Sequence, residues 1–125
     1  MKLLIVEDDP YVRRFYERLF SFQKYEVIYA ENGKAGLEKA KAEKPDLIVL
    51  DIILPDISGL DVLKELKNDS ELASTHILML TNIQDDVTIR RATELKADGF
   101  IVKSNTAPET LLSEIDKMLS GVVES

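Results

Sequence analysis

Cysteine is absent from the 125 residues, which excludes disulfides and thiol chemistry and suits a reducing cytoplasm. Long apolar runs are also absent from the amino terminus. The opening "MKLLIVEDD" has four apolar residues in a row before three acidic ones, far fewer than a signal peptide or a membrane span requires. Repeats, linkers and low-complexity stretches are missing as well. We therefore expect a soluble, cytoplasmic protein.

Positive charge is in short supply. The 16 lysines and arginines are outnumbered by 23 aspartates and glutamates, which gives a formal net charge of -7. Such a chain repels phosphate backbones and anionic lipid surfaces, so we expect neither direct nucleic-acid binding nor membrane association. Its length and its apolar content of 45% are typical of one compact domain. We predict this domain over residues 1–121, followed by a C-terminal tail or linker stub at 122–125.

Short apolar runs alternate with longer segments of helical period, a pattern that predicts an α/β fold with a parallel sheet and crossover helices. Three of the runs, "LLIV", "LIVL" and "ILML", are almost continuously apolar, as in strands that helices cover on both faces. The five predicted strands are Lys2 to Val6, Glu26 to Ala30, Asp46 to Leu50, His76 to Leu80 and Asp98 to Val102.

Helix boundaries carry their own signals. Asp9 is a predicted N-cap that precedes Pro10 at the first helical position. Asn32-Gly33 and Ser58-Gly59 begin the second and third predicted helices, and the fourth runs from about Asp85 to Leu95. The last helix is predicted to begin with a capping box from Thr106 to Glu109, with Pro108 in its first turn, and to end at Gly121.

Polar residues follow the predicted strands at one edge of the sheet. The first strand leads into Glu7 and Asp8, the third into Asp51, the fourth into Thr81 and the fifth into Lys103. Each has an ordinary structural explanation when taken alone, such as a helix cap or a solvated lysine. In open parallel sheets, however, ligands bind outside the carboxyl ends of the strands. We therefore expect these side chains to form one site.

Three carboxylates at this edge need a counterion. Each like-charge pair about 5 Å apart costs on the order of 3 kcal/mol at an effective dielectric near 20. Oxygen ligands of this kind suit Mg²⁺, while Lys103 offers a positive charge and Thr81 a hydroxyl. An aspartate carboxylate can attack phosphorus to form an acyl phosphate, and Asp51 is the best candidate because of its central position.

The segments "LLIVEDD", "DLIVLDIILPDISGLDVL", "ILMLT" and "ADGFIVKS" resemble the receiver domain of bacterial two-component response regulators, the CheY-like family. The resemblance covers roughly residues 2 to 120, and five separated positions agree with the family pattern at once. It implies a flavodoxin-like, doubly wound, five-stranded parallel sheet with strand order 2-1-3-4-5, flanked by five helices. It also implies a signalling phosphoacceptor rather than an enzyme, with at most self-phosphorylation from small phosphodonors and autodephosphorylation.

The resemblance implies a role for each site residue. Asp51 would take phosphate from a sensor histidine kinase or a histidine phosphotransfer protein. The implied Mg²⁺ ligands are Asp51, Asp8 directly, Glu7 through water and the backbone carbonyl of Ile53. Thr81 and Lys103 would be the switch hydroxyl and the phosphate-binding lysine. The aromatic switch residue would be Phe100, although a core aromatic ring explains that position equally well.

The resemblance also implies partners. A downstream protein, or an output domain of the same chain, would bind the face formed by the fourth helix, fifth strand and fifth helix. A phosphorylation-dependent dimer is also compatible with the resemblance. Both a stand-alone receiver and a piece of a longer regulator fit the sequence. The single histidine, His76, begins the fourth predicted strand at the edge opposite the site, so we expect no role for it in phosphotransfer.

Three departures from the family pattern involve four positions. Glu7 stands where aspartate is common, which slightly alters the metal geometry. Ser104 follows Lys103 where the family usually has proline, often after a cis bond; a cis bond before serine costs about 3 kcal/mol, so the loop is either trans or strained. Ile53 and Ile83 occupy positions that modulate dephosphorylation in this family. We expect these apolar side chains to shield the acyl phosphate from water and to prolong the signal.

Three other functions share parts of this pattern. A haloacid-dehalogenase-type phosphatase also forms an aspartyl phosphate, but it needs an acid two residues after the nucleophile, where this chain has Ile53. A flavodoxin-like electron carrier needs a hydroxyl- and glycine-rich phosphate loop after the first strand, where this chain has "EDDPYVRR". A phosphate-independent pseudo-receiver is the third, and the intact acceptor residues argue against it.

Overall fold

The computed structural model describes residues 1–124, with residues 121–124 described through their backbone alone. Within this range, five strands alternate with five helices. They are β1 (Lys2–Val6), α1 (Pro10–Phe20), β2 (Glu26–Ala30), α2 (Gly33–Glu43), β3 (Leu47–Leu50), α3 (Gly59–Asn68), β4 (His76–Thr81), α4 (Asp86–Glu94), β5 (Gly99–Val102) and α5 (Pro108–Glu124). Two short 3-10 turns cover Ser70–Leu72 and Lys103–Asn105.

The strands form one parallel sheet in the order β2-β1-β3-β4-β5. This is the flavodoxin-like order that the resemblance implies, so that prediction is confirmed. The central strands β1 and β3 are buried along almost their whole length, which explains their continuous apolar runs. One apolar cluster packs α2, α3 and α4 on one face of the sheet, and a second packs α1 and α5 on the other.

Two predicted strands begin one residue too early, because their first residues act as acceptors at the strand ends. Asp46 precedes β3, and its Oδ2 accepts a hydrogen bond of 2.7 Å from the backbone N–H of Lys2. Asp98 precedes β5, and its Oδ2 accepts a hydrogen bond of 2.7 Å from the backbone N–H of Ile77. β4 runs one residue further than predicted and includes Thr81.

The predicted N-cap of the first helix is confirmed, and the next three helices begin within one residue of their predicted starts. The Asp9 side chain accepts from the N–H of Tyr11 at 2.8 Å, and Asn32, Ser58 and Asp85 cap α2, α3 and α4 in the same way. Each cap satisfies an amide that the helix itself leaves unpaired. These helices therefore begin where the sequence predicts.

Pro108 lies in the first turn of α5 as predicted, but the predicted cap at Thr106 and the predicted end at Gly121 are wrong. The helix begins after Ala107, whose carbonyl accepts from Thr110 and Leu111, so Thr106 is not the N-cap. Its hydroxyl instead donates to the carbonyl of Val102 at 2.9 Å. At the other end, the helix continues past Gly121 to Glu124, since one glycine costs a helix only about 1 kcal/mol. The predicted tail at 122–125 is thus helical to Glu124, and Ser125 lies outside the described residues.

None of the helices in residues 1–124 is both long enough and apolar enough to span a membrane.

Candidate functional site

Three carboxylates converge at the carboxyl edge of the sheet. Glu7 and Asp8 follow β1, and Asp51 follows β3, the strand beside it. One oxygen from each carboxylate lies within 4.8 Å of the others. Glu7 and Asp51 are almost entirely buried, at 3% and 8% exposure, whereas Asp8 is exposed. The predicted clustering of the three acids is therefore confirmed, and Asp8 forms its solvent-facing side.

Lys103 supplies the positive charge of the site. It directly follows β5, and its Nζ donates to Glu7 Oε1 at 2.6 Å and to Asp51 Oδ2 at 2.7 Å. Burial alone would lower the pKa of Lys103, but the hydrogen bonds with the two carboxylates outweigh burial and raise the pKa. The ammonium is therefore charged, and it joins β5 to both β1 and β3.

The charge of Glu7 is only partly compensated. Burial raises the pKa of this carboxyl group, and the nearby Asp51 carboxylate acts in the same direction. Lys103 lowers the pKa but does not reverse the shift, because burial is the largest effect and Asp51 adds to it. The site thus holds three carboxylates and one ammonium, and a further cation would reduce its excess negative charge.

The three acids fit a divalent cation. Carboxylate oxygens this close together are suitable ligands for a hard metal ion, and the exposed Asp8 leaves room for retained water. Glu7 and Asp51 would contribute the buried oxygens. The donor set contains oxygen atoms only, as hard cations prefer.

Thr81 and Phe100 occupy the neighbouring strands β4 and β5. Thr81 is fully buried at the end of β4, and its hydroxyl accepts a long hydrogen bond of 3.4 Å from the N–H of Ile83. Phe100 lies on β5 opposite Met79, is half-buried, and packs against the cluster beneath α2, α3 and α4. The register extends Thr81 two residues beyond the pairing of Met79 with Leu50, towards the edge that carries Asp51.

The loop between Asp51 and α3 is held at its base by Gly59. The N–H of Gly59 donates to the carbonyl of Ile52 at 2.8 Å. A Cβ atom at position 59 would overlap the backbone carbonyl oxygen of Asp51, so only glycine fits this close approach. Within the loop, the N–H of Ile53 donates to Asp51 Oδ1 at 3.3 Å. The backbone therefore helps to fix the Asp51 carboxylate.

The tip of the same loop is held by Asp56, a residue that the sequence does not single out. Its carboxylate accepts from the N–H groups of Gly33 at 2.8 Å and Lys34 at 2.9 Å, at the amino terminus of α2. Desolvation would raise the pKa of Asp56, but these backbone donors and that of Ile57 outweigh it and lower the pKa to about 2. No local sequence signal predicts these contacts, because Asp56 lies 23 positions from Gly33 and 22 positions from Lys34.

A second unpredicted contact lies next to Lys103. The backbone N–H of Ser104 donates to Asn82 Oδ1 at 2.9 Å. All peptide bonds in residues 1–124 are trans, so the Lys103-Ser104 bond is trans, which decides between the two alternatives left open by the sequence. The only sequence signal for this contact is the serine itself, since proline at position 104 would have no N–H to donate.

Tyr16 of α1 is a third neighbour of the site that the sequence does not single out. The residue is buried, and desolvation raises the pKa of its hydroxyl to about 12. Its titration is also influenced by Lys103, Glu7 and Asp51, so the phenol lies within their electrostatic reach. His76, by contrast, is at the start of β4, with its Nδ1 3.8 Å from Asp98 Oδ1, on the opposite edge of the sheet.

Comparison with known proteins assigns this arrangement to a family. The model of the response regulator receiver domain matches residues 3–116. The chain belongs to the response regulator receiver family. It is therefore a receiver domain of two-component signalling with the role of a phosphoacceptor, and neither the phosphatase nor the pseudo-receiver interpretation is supported. Receiver domains act in signalling and interact with histidine kinases.

Solved structures and curated relatives agree with this assignment. A CheY-like receiver domain protein from Methanospirillum hungatei JF-1 is similar with a TM-score of 0.91 and 27% identity, covering 98% of this chain and 96% of that one. The BeF3-activated N-terminal receiver domain of Klebsiella pneumoniae RstA gives a TM-score of 0.87 and 29% identity, with 95% and 97% covered.

Among curated proteins, the response regulator ArlR of Staphylococcus saprophyticus is 36% identical over 118 residues, which cover 94% of this chain and 52% of the relative. The transcriptional regulatory protein YdfI of Bacillus subtilis is 36% identical over 124 residues, 98% of this chain and 56% of the relative. The chain thus spans about half the length of these relatives.

Proposed function

We propose that Asp51 is the residue that accepts the phosphoryl group, with Mg²⁺ as the cofactor. The observation that carries this assignment is the position of its carboxylate. Asp51 Oδ2 is 2.7 Å from the Lys103 ammonium, Asp51 Oδ1 accepts from the N–H of Ile53, and the carboxylates of Glu7 and Asp8 lie beside it. Glu7 also meets the lysine and accepts from the N–H of Asp9 at 3.4 Å, but Asp51 has the central place, since it follows β3, between the strands that carry Glu7 and Thr81.

In the reaction, a carboxylate oxygen of Asp51 attacks phosphorus, and a bond forms between that oxygen and phosphorus. The bond from phosphorus to the donor breaks, and its electron pair leaves with the donor, which is the imidazole nitrogen of a phosphohistidine or the oxygen of a small acyl phosphate. The positive charge of Lys103 stabilises the negative charge on the transferring phosphoryl oxygens. Bound Mg²⁺, held by Glu7, Asp8, Asp51 and the backbone carbonyl of Ile53, would neutralise phosphoryl charge.

The phosphorylated site would change a surface through Thr81 and Phe100. The Thr81 hydroxyl forms only a 3.4 Å hydrogen bond in this structure, so little is lost when it turns to a phosphoryl oxygen. Phe100 would follow into the space beside it. The face of α4, β5 and α5 then changes its affinity for a downstream protein, an output domain or a second copy, because a ligand shifts only states that it binds differently.

Ile53 and Ile83 would set the lifetime of the phosphoryl group. Ile53 follows the acceptor by two residues and is 64% exposed, while Ile83 is half-buried at the edge of the core. Neither side chain can orient a water molecule for attack on phosphorus, since neither carries a hydrogen-bonding group. A slowly hydrolysed phosphoryl group is the consequence.

The acceptor is tested by incubating the protein with Mg²⁺ and acetyl phosphate and measuring its intact mass. We expect one phosphoryl group on the wild type and none on Asp51→Asn. Asp61→Asn, at an acidic position in the first turn of α3, is the matched control and should be modified like the wild type. Equal modification of Asp51→Asn, or none of the wild type, would refute the assignment.

A phosphorylated sensor kinase, or a histidine phosphotransfer protein, is the physiological donor in this proposal. Transfer from such a donor should also require Asp51, and omission of Mg²⁺ with a chelator should slow it strongly. The readout is the loss of label from the phosphohistidine and its appearance on the receiver. Transfer that proceeds equally with Asp51→Asn would contradict the assignment.

A further inference from the structure

Lys103 is fixed by contacts on both sides of its position in the chain. On one side, Val102 pairs with Thr81 as the last residue pair between β5 and β4. On the other side, the N–H of Ser104 donates to Asn82 Oδ1 at 2.9 Å. Asn82 directly follows Thr81, so its side chain extends the connection between the two strands by one residue beyond the sheet. Lys103 lies between these two attachments.

The contact also completes a cap. Lys103 begins the 3-10 turn Lys103–Asn105, whose first amides have no partner within the turn. The residue in the N-cap position is Val102, and it has no side-chain acceptor to offer. Asn82 supplies that acceptor from the loop after β4, and it accepts from the amide that proline at position 104 would lack. Asparagine is among the best capping residues for such an amide.

We propose that Asn82 is a positioning residue for Lys103, which sets the ammonium between Glu7 and Asp51 by capping the turn that carries the lysine. This inference rests on the proposed function of Lys103 at the phosphoryl group. The lysine side chain reaches Glu7 and Asp51 at 2.6 and 2.7 Å, so a shift of its backbone lengthens both contacts unless the chain rearranges. Asn82 itself forms no hydrogen bond with the acids or with the lysine ammonium.

The test compares phosphorylation rates with acetyl phosphate and Mg²⁺, followed by intact mass at several donor concentrations. Asn82→Ala removes the acceptor, and we expect the maximal rate constant to fall about 3- to 10-fold, the range of one lost hydrogen bond. The half-saturating donor concentration should change less. Asn82→Asp keeps an acceptor oxygen and should restore most of the rate. Ser104→Ala keeps the backbone N–H and should match the wild type.

A double variant separates positioning from a general structural role. If Asn82 acts through the lysine, Asn82→Ala should have no further effect on the rate in a Lys103→Met background, whereas a loss of overall structure would lower the rate again. Circular dichroism at the assay temperature checks that all variants are folded. Wild-type rates in Asn82→Ala, or a further drop in the double variant, would overturn this inference alone. A wild type that accepts no phosphate would overturn the proposed function as well.

Discussion

The Lys103 ammonium should stabilise the unphosphorylated domain as well as serve the reaction, and Lys103→Met tests this. Methionine keeps most of the length of the lysine side chain and removes its charge. The Nζ atom is 2.6 Å from Glu7 and 2.7 Å from Asp51, and it is the only cation within salt-bridge distance of either carboxylate in the described residues. Its removal leaves two buried acids with no positive partner.

The size of the effect follows from the two ion pairs that the substitution removes. The carboxylates of Glu7 and Asp51, with ligand oxygens within 4.8 Å of each other, repel by about 3 kcal/mol at an effective dielectric near 20 in both proteins, and only the wild type has an ammonium to offset that repulsion. The lysine side chain is 18% exposed, so solvent screens part of this repulsion. We expect Lys103→Met to lower the free energy of unfolding by about 2 kcal/mol at neutral pH, somewhat less than the loss of one partner of a fully buried ion pair.

Urea unfolding followed by circular dichroism measures this change, and Mg²⁺ provides a second readout. Without the ammonium, the three carboxylates have only the added cation as a counterion, so Mg²⁺ should raise the unfolding midpoint more in Lys103→Met than in the wild type. Lys117→Met is the matched control, because Lys117 is 71% exposed and, among the residues that the structure describes, pairs only with Glu114 at 3.6 Å. Equal stability of Lys103→Met and Lys117→Met, or equal responses to Mg²⁺, would refute this reasoning.

Four further substitutions have expected outcomes. The lowered pKa of Asp56 means that its contribution to stability is complete above the ordinary aspartate pKa of about 4 and is lost as the pH falls towards about 2; Asp56→Asn should therefore flatten the pH dependence of the urea midpoint over that range. Gly59→Ala should destabilise the domain by about 3 kcal/mol in urea unfolding, and more than Gly36→Ala, whose Cβ would meet only the Val6 side chain. Ile53→Asn and Ile83→Asn should each hasten loss of the phosphoryl group after donor removal, as followed by intact mass.

Site residues next to a strand end were the easiest to predict from the sequence. Glu7, Asp51 and Lys103 each follow an apolar run directly, and parallel strands bring all their carboxyl ends to one edge. The convergence of the acids therefore needed only the recognition of the strands. The strand order was different in kind, because it came from the resemblance to the receiver family and not from the spacing of residues.

Contacts between loops could not be predicted in this way. Asp56 meets the amino terminus of α2, and Asn82 meets Ser104, but neither pair is joined by a periodic pattern or a fixed spacing. Local signals failed where tertiary contacts offered an alternative. Thr106 has the spacing of a capping box with Glu109, yet its hydroxyl donates to the carbonyl of Val102, the residue that precedes the turn carrying Lys103.

The turn that carries Lys103 belongs to the site both before and after phosphorylation. In the resting structure, Lys103 neutralises part of the charge on Glu7 and Asp51. A phosphoryl group on Asp51 would replace one carboxylate charge by about two charges carried further from the backbone. If the Lys103 ammonium moved towards the phosphoryl group, the buried Glu7 would lose its positive partner. A bound cation would then have to neutralise the Glu7 carboxylate. In the proposed mechanism, Lys103 and Mg²⁺ would therefore not be interchangeable, because an ammonium drawn to the phosphoryl group can no longer neutralise Glu7.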